Sequence, residues 1–321
     1  MDYARLGRSG LELSRLVLGT MNLGRVLDEA DSHRLLDQAV ELGINVIDTA
    51  NSYGTAEHKG YTEEIIGRWL AARPGLRDRI VVATKVFAPI GEPGPNVGGL
   101  SALAIRREAE ASLRRLRTDR IELYQFHHVD RSVPWAEIWQ AVDVLVDQGK
   151  VIYTGSSNFA GWDIAEAQLV RERSGRPGLV AEQAFYNLAR REAEREVLPA
   201  AERFGLGVIA WSPLQDGLLA GPAADGLRRT RGRAAERRPQ LGEAVERYEA
   251  FAKARGLAPA ELALAWLLQR PGVHGPVIGP RLPEQLDSAV HALEIRLSAA
   301  DLAELDVIFP PAGVAPEYYA W

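Results

Sequence analysis

Eight short apolar runs alternate with eight amphipathic stretches along this 321-residue chain, and the runs end in polar residues. Alternating strand and helix signals predict an α/β fold with a parallel sheet, and eight such units in a chain of this length predict a (β/α)8, or TIM, barrel. A doubly wound sheet alternates in the same way, but it commonly carries G-x-G-x-x-G after its first strand, and L-V-L-G-T-M-N-L-G does not match that pattern. The stretch I-N-V-I-D-T-A-N-S-Y-G is the third pointer. It reads as a buried strand that runs into a turn carrying Asp48 and Tyr53, and a strand tip is where an α/β barrel builds a site.

Residues 3–6 and 11–13 flank G-R-S-G, which predicts an N-terminal β-hairpin. The first barrel run, 16–18, ends at Gly19 and precedes a helix over 31–42. Then 44–47 precedes 62–72, 80–84 precedes 101–116 after a Gly/Pro loop, and 121–124 precedes 134–148. The second half places 151–153 before 162–173, 179–181 before 191–204, 207–211 before 243–255, and 275–278 before 283–293. Residues 298–308 predict one extra C-terminal helix, with Ser298 as N-cap and Asp301 in its first turn. Residues 215–241, rich in Gly, Ala and Arg, read as a long loop, and such loops are usually functional or mobile. No low-complexity linker interrupts the pattern, so residues 1–321 are expected to form a single barrel domain.

Composition narrows the function classes. A net charge of −5 argues against a dedicated binder of nucleic acid or of anionic membranes. There is no cysteine, which excludes disulfides, thiolate metal sites and cysteine nucleophiles. No stretch reaches the ~20 apolar residues of a membrane span, and the N-terminus lacks the apolar run of a signal peptide. A cytoplasmic location is the expectation.

Residues at the ends of the runs are the candidate site. Asp48 ends the second run and Lys85 the third, and His127 and His128 follow the fourth. Ser156, Ser157 and Asn158 follow the fifth, Gln183 the sixth, Trp211 and Ser212 the seventh, and Arg281 the eighth. A solvated loop start explains any one of these, but an acid, a phenol, a lysine, a histidine, amides and an aromatic plane at successive exits are harder to explain that way.

The chain resembles the aldo-keto reductases over essentially its whole length. The resemblance is carried by L-G-T-M-N-L-G, G-I-N-V-I-D-T-A-N-S-Y-G, V-V-A-T-K-V, E-L-Y-Q-F-H, G-S-S-N-F, E-Q-A-F-Y-N, W-S-P-L-Q-D-G-L-L and V-I-G-P-R-L-P-E-Q-L, in order. The closest flavour is the bacterial branch similar to potassium-channel β subunits and deoxysugar-pathway reductases. The resemblance implies a barrel that binds NADPH (NADP+) and reduces aldehydes or ketones. Such a reduction needs a hydride, which no side chain supplies and a nicotinamide does. The developing alkoxide needs a proton, and a phenol of pKa near ~10 can give it when an ammonium, itself anchored by a carboxylate, stabilises the phenolate. It implies Tyr53 as proton donor, Lys85 as its cationic partner, Asp48 as the anchor of Lys85, and His127 as a hydrogen-bond donor to the carbonyl oxygen. Strand side chains alternate, so only one of His127 and His128 should face inward. The family pattern selects His127 and leaves His128 on the rim as a substrate wall. Asn51 and Ser52 read as turn chemistry.

For the cofactor, similarity places Ser157, Asn158 and Gln183 on the nicotinamide carboxamide and Trp211 against its ring. Thr20 belongs to the first matching motif and is assigned to the cofactor with them. Ser212, Pro213, Leu214 and Gly217 match the segment along the pyrophosphate, and Gly279, Arg281 and Gln285 match the adenosine-phosphate motif. A guanidinium there favours NADPH over NADH. The chain departs from the family at Ser288 and Ala289, where a Glu-Asn pair usually grips the adenine.

The other histidines, His33, His58, His274 and His291, show no metal spacing, so no metal is expected. His58 and Tyr318 are candidate substrate contacts, although Tyr318 and its neighbours Tyr319 and Trp321 serve equally well to pack the tail on the barrel. Arg228, Arg229, Arg231, Arg233, Arg237 and Arg238 crowd the expected loop 227–238, either as a solvated segment or as a lid that neutralises phosphates. The expected partner is a small carbonyl compound, with no nucleic acid and no membrane, and the oligomeric state stays open. Two alternatives are an NDP-deoxysugar ketoreductase or enoyl reductase, and a slow-turnover NADPH-binding redox sensor like the channel β subunits.

Overall fold

A computed structural model of the chain describes residues 1–92, 94–221 and 232–320. Strands β1 (Tyr3–Arg5) and β2 (Glu12–Ser14) form the antiparallel N-terminal hairpin. Eight parallel strands then close into a barrel. They are β3 (Val17–Gly19), β4 (Val46–Asp48), β5 (Val81–Val86), β6 (Ile121–Phe126), β7 (Val151–Ser157), β8 (Leu179–Phe185), β9 (Gly207–Trp211) and β10 (Val273–Ile278). They pair in chain order, and β10 closes on β3.

Helices α1 (Glu29–Glu41), α2 (Tyr61–Ala71), α3 (Ala102–Leu116), α4 (Trp135–Asp147), α5 (Gly161–Glu172) and α6 (Ala193–Phe204) follow the first six barrel strands. After β9 come a 3₁₀ segment (Gln215–Ala220), α7 (Gly232–Ala254) and α8 (Pro259–Leu268). After β10 come α9 (Pro283–His291), the extra helix α10 (Ala299–Ile308) and the short α11 (Glu317–Ala320). Asp28 and Ser101 cap α1 and α3 through their side chains, and Ser298 with Asp301 forms a capping box on α10.

Two-residue alternation along the strands sorts the barrel interior into layers. At the N-terminal end, Val17, Val46, Ala83, Leu123, Ala181 and Ile209 pack with Leu6 and Leu13 of the hairpin region into a buried apolar floor. One pleat further, four of these strands turn polar on the same face, through Asp48, Lys85, Gln125 and Gln183. The hairpin plugs one end of the barrel, and the polar groups gather at the other.

The elements differ from expectation in three places, each for a physical reason. Strands β5 to β8 run past the apolar runs into K-V, Q-F, T-G-S-S and E-Q-A-F, because the upper interior layer is polar and still buried. Helix α8 was not expected. Six consecutive residues, Leu262 to Leu267, are buried, so it carries no one-sided periodicity to detect. The expected loop 215–241 is interrupted by the 3₁₀ segment and by α7, which begins at Gly232 and holds Pro239 inside it. Its Ala, Glu and Arg residues favour helix. Arg228, Arg229 and Arg231 lie outside the described residues, as do the side chains of Arg233, Arg237 and Arg238.

The seam between β9 and β10 shifts register at Val273/Gly275. There the Arg15 side chain donates to the carbonyls of Leu268 and His274, at 2.6 Å and 2.5 Å. A Cβ on Gly275 would lie 1.9 Å from the Arg15 carbonyl oxygen, a backbone atom held by that same network. Gly275→Ala should therefore destabilise the fold by about 1–3 kcal/mol, the usual range for overpacking, read as a lower urea midpoint. An unchanged midpoint would show that the seam can shift without cost.

Candidate active site

The turn after β4 keeps pairing with β5 beyond the strand itself. Thr49 N–H donates to Ala83 O at 2.8 Å and Asn51 N–H to Lys85 O at 3.1 Å. This path brings Tyr53 back over Lys85. The Lys85 side chain is fully buried, and its ammonium donates to Asp48 Oδ2 at 2.6 Å, Thr49 O at 2.8 Å and the Tyr53 hydroxyl at 3.3 Å. An ammonium has three donors, and all three are used.

Asp48 is satisfied on its other oxygen. Its Oδ1 accepts from Gln125 Nε2 at 3.0 Å and Gln183 Nε2 at 2.8 Å. Thr20, expected at the cofactor, is buried and donates its hydroxyl to the Asp48 carbonyl at 2.9 Å. Burial alone would push the Lys85 ammonium down, but Asp48 and Tyr53 outweigh it and hold the group above its ordinary value. For Tyr53 the balance also goes up. Desolvation raises the phenol, with Asp48 adding to it, and Lys85 draws it only part of the way back.

His127 follows β6, and its ring stands edge-on to Tyr53 with centroids 5.9 Å apart. Burial, with the charge of Lys85 and the neighbouring His128, lowers its pKa to about 3. It is a neutral imidazole at neutral pH. His128 is exposed, lies 5.3 Å from the Phe87 ring, and contacts Val129 O through Nδ1. Inward and outward histidines are thus separated as strand alternation expects.

The next exits hold one another. Asn158 sits in the left-handed region, at φ 61°. Its Nδ2 donates to His127 O and to Ser157 Oγ, each at 3.0 Å, and its Oδ1 accepts from Trp211 Nε1 at 3.0 Å. Ser157 Oγ in turn donates to Gln183 O at 2.8 Å. The Trp211 indole stacks on Phe185 with centroids 4.2 Å apart and planes 14° apart, with the Arg190 guanidinium 5.5 Å beyond. Ser212, Pro213 and Leu214 lead into a tight turn in which Ser212, Gln215, Asp216 and Gly217 all have positive φ. The turn holds itself together, with Gln215 N–H donating to Ser212 O at 3.0 Å, Asp216 N–H to Ser212 Oγ at 3.2 Å and Gly217 N–H to Leu214 O at 2.9 Å. At β10, Asn22 Nδ2 donates to Gly279 O at 2.9 Å and Arg281 N–H to Gln285 Oε1 at 2.8 Å, just ahead of the α9 N-terminus.

Two candidates lie on partners of their own. His58 is exposed, stacked 4.9 Å from Tyr61 and 3.0 Å from Glu64 Oε1, both on α2. Tyr318 is half exposed, and the Arg195 guanidinium of α6 lies 4.1 Å from its ring. The tail packs on that helix, where Ala315 N–H donates to Arg195 O.

Four residues in these networks were not singled out from sequence. Gln125 and Phe185 each lie two residues from a recognised neighbour on the same strand face, His127 and Gln183, so period-two counting would have found them. Glu182 is fully buried, accepts from Ser156 Oγ and Phe159 N–H, and is pushed up to about 7 by desolvation. Glu108 of α3 accepts from Asn51 at 3.3 Å across 57 positions, so Asn51 is a buried tie and not only a turn residue. Glu182 stands first in E-Q-A-F-Y-N, a motif that carries the resemblance but gives its acid no role, and no sequence signal marked Glu108.

Among the described residues no cluster of His, Asp and Glu could hold a metal ion, and no helix is long and apolar enough to cross a membrane. A nicotinamide dinucleotide fits the donor set. The indole of Trp211 is backed by one ring, remains partly exposed, and is bonded to the Asn158 amide, which also bonds the Ser157 hydroxyl.

Comparison with known proteins points the same way. The sequence model described as "Aldo/keto reductase family" matches residues 15–309. The chain is 49% identical to "Uncharacterized oxidoreductase YrpG" of Bacillus subtilis over 329 residues, covering 100% of both chains. It is 32% identical to the "Versiconal hemiacetal acetate reductase" of Aspergillus parasiticus, covering 98% of this chain and 99% of that protein. It is 33% identical to the "Putative voltage-gated potassium channel subunit beta" of Schizosaccharomyces pombe, covering 96% and 93%. The barrel, the site and these matches agree, and the chain belongs to the aldo/keto reductase family of oxidoreductases.

Proposed function

We propose that the protein is an NADPH-dependent reductase of aldehyde or ketone carbonyls. The observation that carries this reading is the buried Lys85 ammonium, which spends its three protons on Asp48, Thr49 O and the Tyr53 hydroxyl. A phenol held against a fully paired ammonium, beside a neutral histidine, is a built proton-donating site.

The nicotinamide supplies the hydride. Trp211 would face its ring, and Ser157, Asn158 and Gln183 would orient its carboxamide. Ser212 to Gly217 would follow the pyrophosphate. Gly279, Arg281 and Gln285 would take the adenosine phosphate, and a guanidinium ahead of a helix N-terminus supports the phosphorylated cofactor. His127, neutral across the physiological range, donates an N–H to the carbonyl oxygen and polarises it. Tyr53 gives its proton to the same oxygen as negative charge develops there. Lys85 stabilises the phenolate left behind, and Asp48 keeps Lys85 charged.

Tyr53→Phe removes the proton and little else. Turnover with NADPH and a panel of simple aldehydes should fall by ~10²–10⁴, the usual worth of a positioned general acid, while NADPH still quenches tryptophan fluorescence at similar concentrations. Retained turnover would refute Tyr53 as the donor. Loss of turnover by the wild-type chain on every carbonyl tried, with tight NADPH binding, would favour a redox sensor of the kind the channel β relative suggests.

The pH profile is a separate check. Protonated Tyr53 is the active form, and its pKa is raised above 10, so kcat for reduction should stay level through neutrality and decline only on the alkaline side of pH 10. His127 should add no limb above pH 3. A limb between pH 6 and 7 (about the ordinary histidine range) that vanishes in His127→Gln would overturn the neutral-imidazole assignment.

A further inference from the structure

Asp48 accepts more hydrogen bonds than a counter-charge for Lys85 requires. Its Oδ2 takes the ammonium, while Oδ1 takes two amide nitrogens, from Gln125 on β6 and Gln183 on β8. Both glutamines are buried, and Gln125 is the register partner of Lys85. Two donors from different strands on one oxygen fix the rotation of the carboxylate. Oδ2 is then the oxygen left for Lys85, in one direction.

The orientation of the Gln125 amide follows from charge. Its nitrogen must face the carboxylate, because its oxygen there would be repelled. That leaves Gln125 Oε1 buried without a hydrogen-bond partner. An unpartnered buried carbonyl opposes folding, and a leucine of similar size would avoid it. A polar group kept on those terms calls for an explanation beyond packing.

We propose that Gln125 is a positioning residue: together with Gln183 it locks the Asp48 carboxylate, so that Lys85 stays aimed at the Tyr53 hydroxyl. It acts through Asp48. The kinetic consequence rests on the carbonyl-reductase reading above, whereas the electrostatic consequence does not.

The ionisable groups meeting here are Asp48, Lys85, Tyr53 and His127. The charge of Asp48 raises the phenol and that of Lys85 lowers it. Without the Gln125 N–H, the carboxylate is less neutralised and held on Oδ1 by Gln183 alone, so Lys85 is aimed less closely at the Tyr53 hydroxyl. A stronger negative charge and a weaker ammonium contact both raise the phenol further. Gln125→Leu should lower kcat by roughly 10- to 100-fold, the scale of a small misplacement in a site, with substrate KM little changed. Gln125→Glu keeps the shape and puts a second carboxyl beside Asp48. The pair shares a proton at low pH, and the protonated glutamic acid then donates to Oδ1 as the amide did. Once pH rises and that proton leaves, the two carboxylates repel. Gln125→Glu should be close to wild type at the acid end and fall as pH rises, while Gln125→Leu stays depressed throughout.

The experiment measures kcat against pH for wild type, Gln125→Leu and Gln125→Glu. In parallel, the Tyr53 titration of each apo protein is read as the ultraviolet difference from its Tyr53→Phe counterpart. A slow Gln125→Leu with a Tyr53 titration moved to higher pH, and an acid-rescued Gln125→Glu, are the expected results. Wild-type kcat in Gln125→Leu with an unmoved Tyr53 titration would overturn the proposal. If the wild-type chain reduces no carbonyl, the reductase reading falls alone, and the titration still decides the role of Gln125.

Discussion

The ammonium of Lys85 has no surface of its own in contact with solvent, so its charge must be met entirely by protein atoms. The match is complete, with a carboxylate, a carbonyl and a phenol each within 3.3 Å. Removing one partner of a buried ion pair typically costs about 3–5 kcal/mol, because the other charge is stranded. The pair therefore constrains the strands that carry it. Asp48 comes from β4, Lys85 from β5, and the amides that complete Asp48 from β6 and β8. A slip of one residue in any of these would send its side chain to the helix layer.

That constraint explains the layering. The floor, from Val17 to Ile209, is apolar and sealed by Leu6 and Leu13. It keeps water from reaching the ion pair from below, and in a water-poor setting electrostatic contacts count for more. The same strands then deliver their polar groups one pleat higher. Here too Asn158 joins two halves of the site, since one amide bonds both the His127 carbonyl and the Trp211 indole. Displacing that turn would move the histidine and the aromatic plane together.

The barrel was legible because its signals are local, and so were the positions of the four candidate residues, whose roles the family resemblance implied. Asp48 and Tyr53 lie five residues apart on one strand and turn, and Lys85 and His127 end apolar runs. What stayed hidden depends on contacts far apart in sequence or on residues without contrast. Glu182 looks like any loop-facing acid until it is seen buried against Ser156. Asn51 needed Glu108 of α3 to become more than a turn residue. Helix α8 is apolar on every side, and strand ends were set too early because polar interior residues resemble loop starts.

In the proposed reduction, His127 and Tyr53 would divide the work by their pKa values. His127 titrates at about 3, so it carries no second proton at neutral pH and cannot be the proton source. A neutral imidazole still has an N–H to offer as a hydrogen bond. Tyr53 lies on the other side of the balance, raised above its ordinary value and therefore protonated when substrate arrives. An alkoxide is a stronger base than a phenolate, so proton transfer from a raised phenol to an alkoxide would remain downhill. The cost falls on the phenolate, and the ammonium 3.3 Å away is what offsets it. Burial, with the charge of Lys85 added, keeps His127 neutral, and the same lysine would support Tyr53 as the donor, so the proposed division of roles rests on burial and one buried charge together.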